Sequence, residues 1–177
     1  RFTAQAGENN ESVGFTADTQ TPGVEIEFNQ RYQNLTTSIT ATLQEPAFAV
    51  ETIGGETVVD VSESRIQRQP RYLVSVNPQY EVGIFTAGIE FRAIDSRFTN
   101  AANNALELPA YNEINASLAA SDGPVTVKLT GANLTNAIGL TEGNPRTGIA
   151  TGGEVGTFFQ ARPILGRRFN LSLQYEF

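Results

Sequence analysis

Arg168-Phe169-Asn170-Leu171-Ser172-Leu173-Gln174-Tyr175-Glu176-Phe177 is the stretch that decides the fold. Phe169, Leu171, Leu173, Tyr175 and Phe177 alternate without a break with Asn170, Ser172, Gln174 and Glu176. Only an extended strand sends successive side chains to opposite sides, so this segment is a strand with one apolar and one polar face. A strand tilted across a bilayer needs about 9–11 residues, and this one is long enough.

The same period of two recurs upstream. Strand-like segments are predicted over residues 13–32, 35–48, 71–80, 85–98, 111–120, 125–135 and 166–177, with the residues before 13 read as the remnant of an eighth. One face collects Val24, Ile26 and Phe28; Leu35, Thr37, Ile39, Ala41 and Leu43; Tyr72, Val74 and Val76; and Phe85, Ala87, Ile89, Phe91 and Ala93. It continues through Ile114, Ala116 and Leu118, then Val125, Val127, Leu129 and Gly131, and none of these residues is charged. The other face carries Glu25, Glu27, Glu90, Arg92, Glu113 and Lys128 among hydroxyls and amides. Charge is segregated to one side.

Connection lengths alternate as well. Residues 33–34, 81–84 and 121–124 are short links, whereas 49–70, 99–110 and 136–165 are long and rich in Gly, Asn, Thr and Glu. Outer-membrane barrels have short periplasmic turns and long external loops. Counting back from a periplasmic end after the last strand puts every short link on the periplasmic side. A soluble β-sandwich also alternates, but its strands are typically five or six residues and its connections are not sorted by length to one end. The expectation is an all-β, antiparallel transmembrane barrel segment of seven to eight strands.

Composition removes other classes. The chain has no histidine and no cysteine, which excludes Ser-His-Asp and Cys-His catalysis, His-ligated zinc, thiolate sites and disulfides. Twelve Lys and Arg against 19 Asp and Glu, a net charge of −7, do not make a nucleic-acid-binding stripe. No run of apolar residues is long enough for a helical span. Residues 1–7, Arg-Phe-Thr-Ala-Gln-Ala-Gly, do not read as a signal peptide, so a mature chain or a piece of one is expected. Glu25 and Glu27, about 6.6 Å apart along a strand with no nucleophile nearby, are not a catalytic dyad. No catalytic, cofactor-binding or metal-ligating residue is assigned, and the chain is not expected to be an enzyme.

Particular motifs point to a family. Gly131-Ala132-Asn133-Leu134-Thr135-Asn136 resembles the penultimate-strand signature of TonB-dependent outer-membrane receptors. It is followed by Gly139-Leu140-Thr141-Glu142-Gly143-Asn144-Pro145-Arg146, by Ala161-Arg162-Pro163-Ile164-Leu165-Gly166-Arg167, and by the terminal alternating strand, which together are similar to that family's C-terminal end. Thr21-Pro22-Gly23-Val24-Glu25-Ile26-Glu27-Phe28 and Gln69-Pro70-Arg71-Tyr72 resemble two of its other strands.

The resemblance implies that residues 1–177 are roughly the C-terminal third of a barrel of about 22 strands in a Gram-negative outer membrane. It implies import of a scarce nutrient such as a siderophore, a cobalamin or an oligosaccharide, with a plug domain and a TonB box lying outside these residues. The alternative reading is a complete barrel of about eight strands with a structural or adhesive role. By the same resemblance Phe169, Tyr175 and Phe177 would be the signal read by the barrel-assembly machinery, or simply lipid-facing aromatics. Glu25, Glu27, Glu90, Arg92 and Lys128 would face the lumen, touching the plug or substrate, or pairing charges across neighbouring strands. Asp60, Glu63, Arg65 and Arg68 would lie in a long loop, either meeting ligand or simply solvated.

Overall fold

The computed structural model describes residues 2–6, 11–15, 18–48, 52–54, 57–59, 64–99, 103, 107–145 and 159–177. A seven-stranded antiparallel sheet forms its body: β1 Gly23–Tyr32, β2 Leu35–Gln44, β3 Tyr72–Val82, β4 Phe85–Ile94, β5 Tyr111–Asp122, β6 Val125–Ala132 and β7 Arg168–Tyr175. Spatial order follows chain order, so the chain runs up and down as a meander. Among the described residues no helix is long and apolar enough to cross a membrane.

The register makes the alternation into two continuous surfaces. Phe28 lies opposite Ile39, Ile39 opposite Val76, Val76 opposite Phe91 and Phe91 opposite Ile114. Further across, Ala116 is opposite Gly131 and Gly131 opposite Phe169. Directly opposed residues point to the same face, so the uncharged face predicted from the sequence runs unbroken over all seven strands. Behind it, Glu27, Thr40, Ser75, Arg92 and Glu113 form one cross-strand row of the polar face.

Connections β1–β2, β3–β4 and β5–β6 are two-residue turns at one end of the sheet. In each, the first central residue alone has positive φ: Gln33 at 52°, Gly83 at 57° and Gly123 at 54°. That is the type II′ pattern, whose twist matches that of the flanking strands, and Pro124 fits its second position because its φ is negative by construction.

Beyond the other end, two hairpins continue in the same register past prolines. Thr19–Gln20 pairs with Ala47–Phe48 beyond Pro22 and Pro46, and Arg97–Phe98 pairs with Glu107–Leu108 beyond Pro109. Proline has no N–H to give the ladder, so the ladder lapses and resumes without changing register. Leu140–Pro145 pairs with Phe159–Pro163 in the third long connection. Thr52–Gly54 pairs with Thr57–Val59 within the first.

Several predicted boundaries change: the sheet strands of segments 35–48 and 85–98 end at Gln44 and Ile94, those of 71–80 and 111–120 run on to Val82 and Asp122, and that of 166–177 is Arg168–Tyr175. Segment 13–32 is not one strand, since Glu11–Phe15 pairs with Phe2–Ala6 in a ladder separate from the seven-stranded sheet. Segment 125–135 ends at Ala132, because Asn133 adopts φ 48° and leaves the extended conformation.

Among the described residues burial is confined to the end with the long connections, where Phe48, Ile66, Ile94, Leu108, Pro46, Thr99 and Asn133 pack. Across the body of the sheet no described element covers either face. Even on interior strands Ile89 is 54% and Leu118 50% exposed, and on β7 Leu171 and Leu173 reach 70% and 73%. Leaving one such side chain in water forgoes about 1.5–3 kcal/mol. An apolar face spanning seven strands far exceeds the few hundred Å² a soluble monomer tolerates.

Candidate functional site: a polar face and three interlocked connections

Glu25, Glu27, Glu90, Arg92 and Lys128 all fall on the polar face by register. They do not form one cluster. Arg92 Nε is 4.0 Å from Glu90 Oε1 and Arg92 Nη1 is 4.0 Å from Glu113 Oε2. Asn115 Nδ2 donates to Glu90 Oε2 at 2.8 Å, so β4 and β5 together hold a four-residue polar group. Glu27 instead accepts from Asn29 Nδ2 at 3.0 Å, and Asn29 Oδ1 accepts from Ser38 at 2.6 Å. Arg31 and Glu81 make a 3.2 Å pair that reaches across β2. The Arg31–Glu81 pair is largely solvated, which limits it to about 0–1 kcal/mol, whereas the Glu113 side chain is only 14% exposed.

A concavity of about 610 Å³ opens on this face between Gln79, Thr86, Glu90, Asn115, Lys128 and Thr130. The side chain of Lys128 makes no ion pair among the described residues. Nor do the described residues include a group of three or more side chains suited to holding a metal. Amides, hydroxyls and carboxylates arranged this way offer hydrogen bonds to a wet lumen or to a polar partner.

Gly131–Asn136 is a tie between β5, β6 and β7. Asn133 is fully buried. Its N–H donates to Asn115 Oδ1 at 2.8 Å, its Nδ2 donates to the carbonyls of Ala137 and Leu165 at 2.9 and 3.0 Å, and its Oδ1 accepts from the Ala137 N–H at 2.8 Å. Asn136 Oδ1 accepts from the Arg167 N–H at 3.1 Å. At Gly131 an added Cβ would come within 2.6 Å of Leu134 and 3.1 Å of the Phe169 ring, so the glycine is where the aromatic side chain of β7 lies down. At Gly139 the same atom would sit 2.7 Å from the Tyr111 ring.

At the base of the long connections Arg65 departs from both sequence readings. It neither projects toward a ligand nor lies in a solvated loop, because its side chain is only 11% exposed. Arg65 Nη2 donates to the Ser96 carbonyl at 2.8 Å, the guanidinium faces Asp95 at 3.9 Å and Glu107 at 3.7 Å, and it stacks 4.8 Å from the centre of the Phe98 ring. A buried guanidinium requires such compensation. Asn103 clasps the Arg65 backbone, accepting from its N–H at 2.7 Å and donating to its carbonyl at 2.9 Å. Arg68, at φ 65°, is tied by its N–H to the Phe98 carbonyl. Asp60 and Glu63 lie outside the described residues. The sequence reading missed Asn103, Glu113 and Asn115 as partners; only the parity of Glu113 and Asn115 with Glu90 and Arg92 hinted at the second group.

Phe169 and Tyr175 stand on the apolar face of β7, at 67% and 54% exposure, and the Phe177 ring meets Tyr175 edge-on at 4.9 Å. Tyr32, Tyr80 and Phe85 join Tyr175 along the end with the short turns, whereas Phe169, opposite Gly131, lies toward the other end.

A predominantly apolar face over seven strands of 8 to 12 residues, aromatic side chains along one end, a polar reverse face and sorted connection lengths together define a section of transmembrane β-barrel wall. No protein-family model matches the chain, and no curated protein matches it significantly. Solved structures do. The siderophore receptor PiuA from Acinetobacter baumannii superposes with a TM-score of 0.72 at 15% identity, covering 98% of this chain and 24% of the receptor. The ferric yersiniabactin uptake receptor FyuA from Yersinia pestis gives 0.71 at 15% identity, covering 90% and 24%. The ferric-catecholate import receptor Fiu from E. coli K12 gives 0.69 at 16% identity, covering 99% and 23%. The chain therefore has the fold of one section of the barrel wall seen in these receptors, and it spans about a quarter of their length.

Proposed function

We propose that the chain is the C-terminal part of the barrel wall of a TonB-dependent receptor in a Gram-negative outer membrane, with its plug domain and TonB box outside residues 1–177. The observation that carries the reading is the bare apolar face, whose extent over seven strands suits a lipid surface. The work of such a chain is transport, not catalysis. Among scarce nutrients the ferric siderophore is favoured over cobalamin or an oligosaccharide, since the matching structures are siderophore receptors. Phe169, Tyr175 and Phe177 would serve recognition by the barrel-assembly machinery, while Glu25, Glu27, Glu90, Arg92 and Lys128 would face the lumen and its plug.

The open edges speak against a complete small barrel. β1 and β7 are the two margins of the sheet and are not paired with each other. Unpaired N–H and C=O groups in hydrocarbon cost several kcal/mol each, so further wall must cover both margins. Uptake of radioiron-loaded siderophores by cells with and without the gene encoding this chain tests the function. Loss of uptake of one siderophore on deletion, restored by complementation, is the expected result; unchanged uptake across hydroxamate, catecholate and mixed-ligand siderophores would refute the import of this class.

A further inference from the structure

The long connections are joined to one another through side chains. Arg65, in the connection between β2 and β3, binds the Ser96 carbonyl, faces Asp95 and Glu107 and stacks on Phe98, all in the connection between β4 and β5. Arg97, the next residue after Ser96, reaches in the other direction. Its Nη2 donates to the Leu140 carbonyl at 2.7 Å and its Nη1 to the Thr141 carbonyl at 3.5 Å, both in the connection between β6 and β7. The Ser96–Arg97 peptide thus receives the first connection on its carbonyl and holds the third through the side chain that follows.

We propose that Arg65 and Arg97 couple the three long connections into a single opening unit with the Ser96–Arg97 peptide as its hub. Lifting the first connection withdraws Arg65 from Ser96, Glu107 and the Phe98 ring. The Arg97–Phe98 and Glu107–Leu108 ladder has only two residue pairs, so it lacks the backbone bonding to stay fixed without that support. Arg97 then loses the geometry that aims it at Leu140 and Thr141. A ligand or partner that displaces one connection displaces the others, and by linkage the effect is the same in both directions. Neither guanidinium is fully satisfied, since the Nε of Arg65 and that of Arg97 are buried without a hydrogen-bond partner. This keeps the coupled state short of its greatest possible stability, as a unit that opens requires. The coupling stands whether or not the barrel imports a siderophore.

Hydrogen exchange read by mass spectrometry on the intact protein in detergent tests the coupling. Arg65→Ala removes contacts only between the first and second connections. It is expected to speed exchange about tenfold in the Leu140–Pro145 and Phe159–Pro163 ladder of the third, within the usual range for coupled sites. Arg97→Ala, which touches only the second and third, is expected to speed exchange at the Phe48 and Ile66 amides, which bind the Ser64 and Pro46 carbonyls. Unchanged exchange in the β4–β5 ladder establishes that the barrel is folded. Should Arg65→Ala perturb that ladder, Arg65→Lys keeps the charge but loses the forked donors, and is expected to give a smaller rise in the same third-connection amides. Exchange that rises only in the connections each substitution directly touches overturns the proposal.

Discussion

Asn133 shows how much one amide can hold in a sheet that is otherwise open on both faces. Its side chain satisfies the N–H and C=O of Ala137 and the C=O of Leu165, three backbone groups that no ladder serves. Asn133→Ala leaves those groups without their partner in a fully buried site, at about 1–3 kcal/mol for each group that water cannot reach. Destabilisation of about 2–4 kcal/mol is expected, measured as a shift in the urea midpoint of the detergent-solubilised intact barrel; Asn133→Asp, which sets a carboxylate oxygen against the Ala137 and Leu165 carbonyls in a fully buried site, should cost at least as much. Gly139→Ala is a second case, since its new methyl group would meet the Tyr111 ring 2.7 Å away. That ring must move, and a loss of about 1–3 kcal/mol by the same assay is expected. The motif containing Asn133 was visible in the sequence as a signature, but its physical role was not, because Leu165 lies 32 positions away.

At the scale of the strands, parity carries the meaning. Ile89 and Glu90 are neighbours on β4, yet one belongs to the uncharged face and the other to the polar face. Ile89→Arg places a cation on the lipid side of the sheet, with an expected cost of about 2–4 kcal/mol near the bilayer centre. Thr130→Arg, on the polar side of β6, should stay within about 1 kcal/mol. Equal costs for the two, in refolding titrations with lipid vesicles, would contradict the assignment of faces. This parity was fully legible, since a period of two survives without any knowledge of pairing. Strand ends were less so: Pro22, Pro46 and Pro109 interrupt ladders that then resume in register, and no local pattern distinguishes that from a strand that ends. Arg65 was illegible for a further reason. Its partners Ser96 and Asn103 are 31 and 38 residues away, so a charged residue in a Gly- and Thr-rich connection reads as solvated until the fold brings them together.

For the whole molecule the decisive quantity is direction. All the two-residue turns lie at one end of the sheet, and all the connections that carry extra ladders lie at the other. If the sheet is the wall of an outer-membrane barrel, the turn end faces the periplasm and the long connections face the medium. Residues 1–177 contain no cysteine, so an introduced cysteine is the only thiol within them. Cysteine at Asn34, Ile84 or Pro124, the second position of each turn, is expected to resist a membrane-impermeant maleimide in whole cells and to react once the outer membrane is permeabilised. Cysteine at the exposed Thr141 or Glu142 in the third long connection should react in whole cells. Reversal of the two labelling patterns would invert the barrel. Labelling of all five sites in whole cells would remove the membrane from the account, and leave the bare apolar face of β1 to β7 to be covered by protein instead.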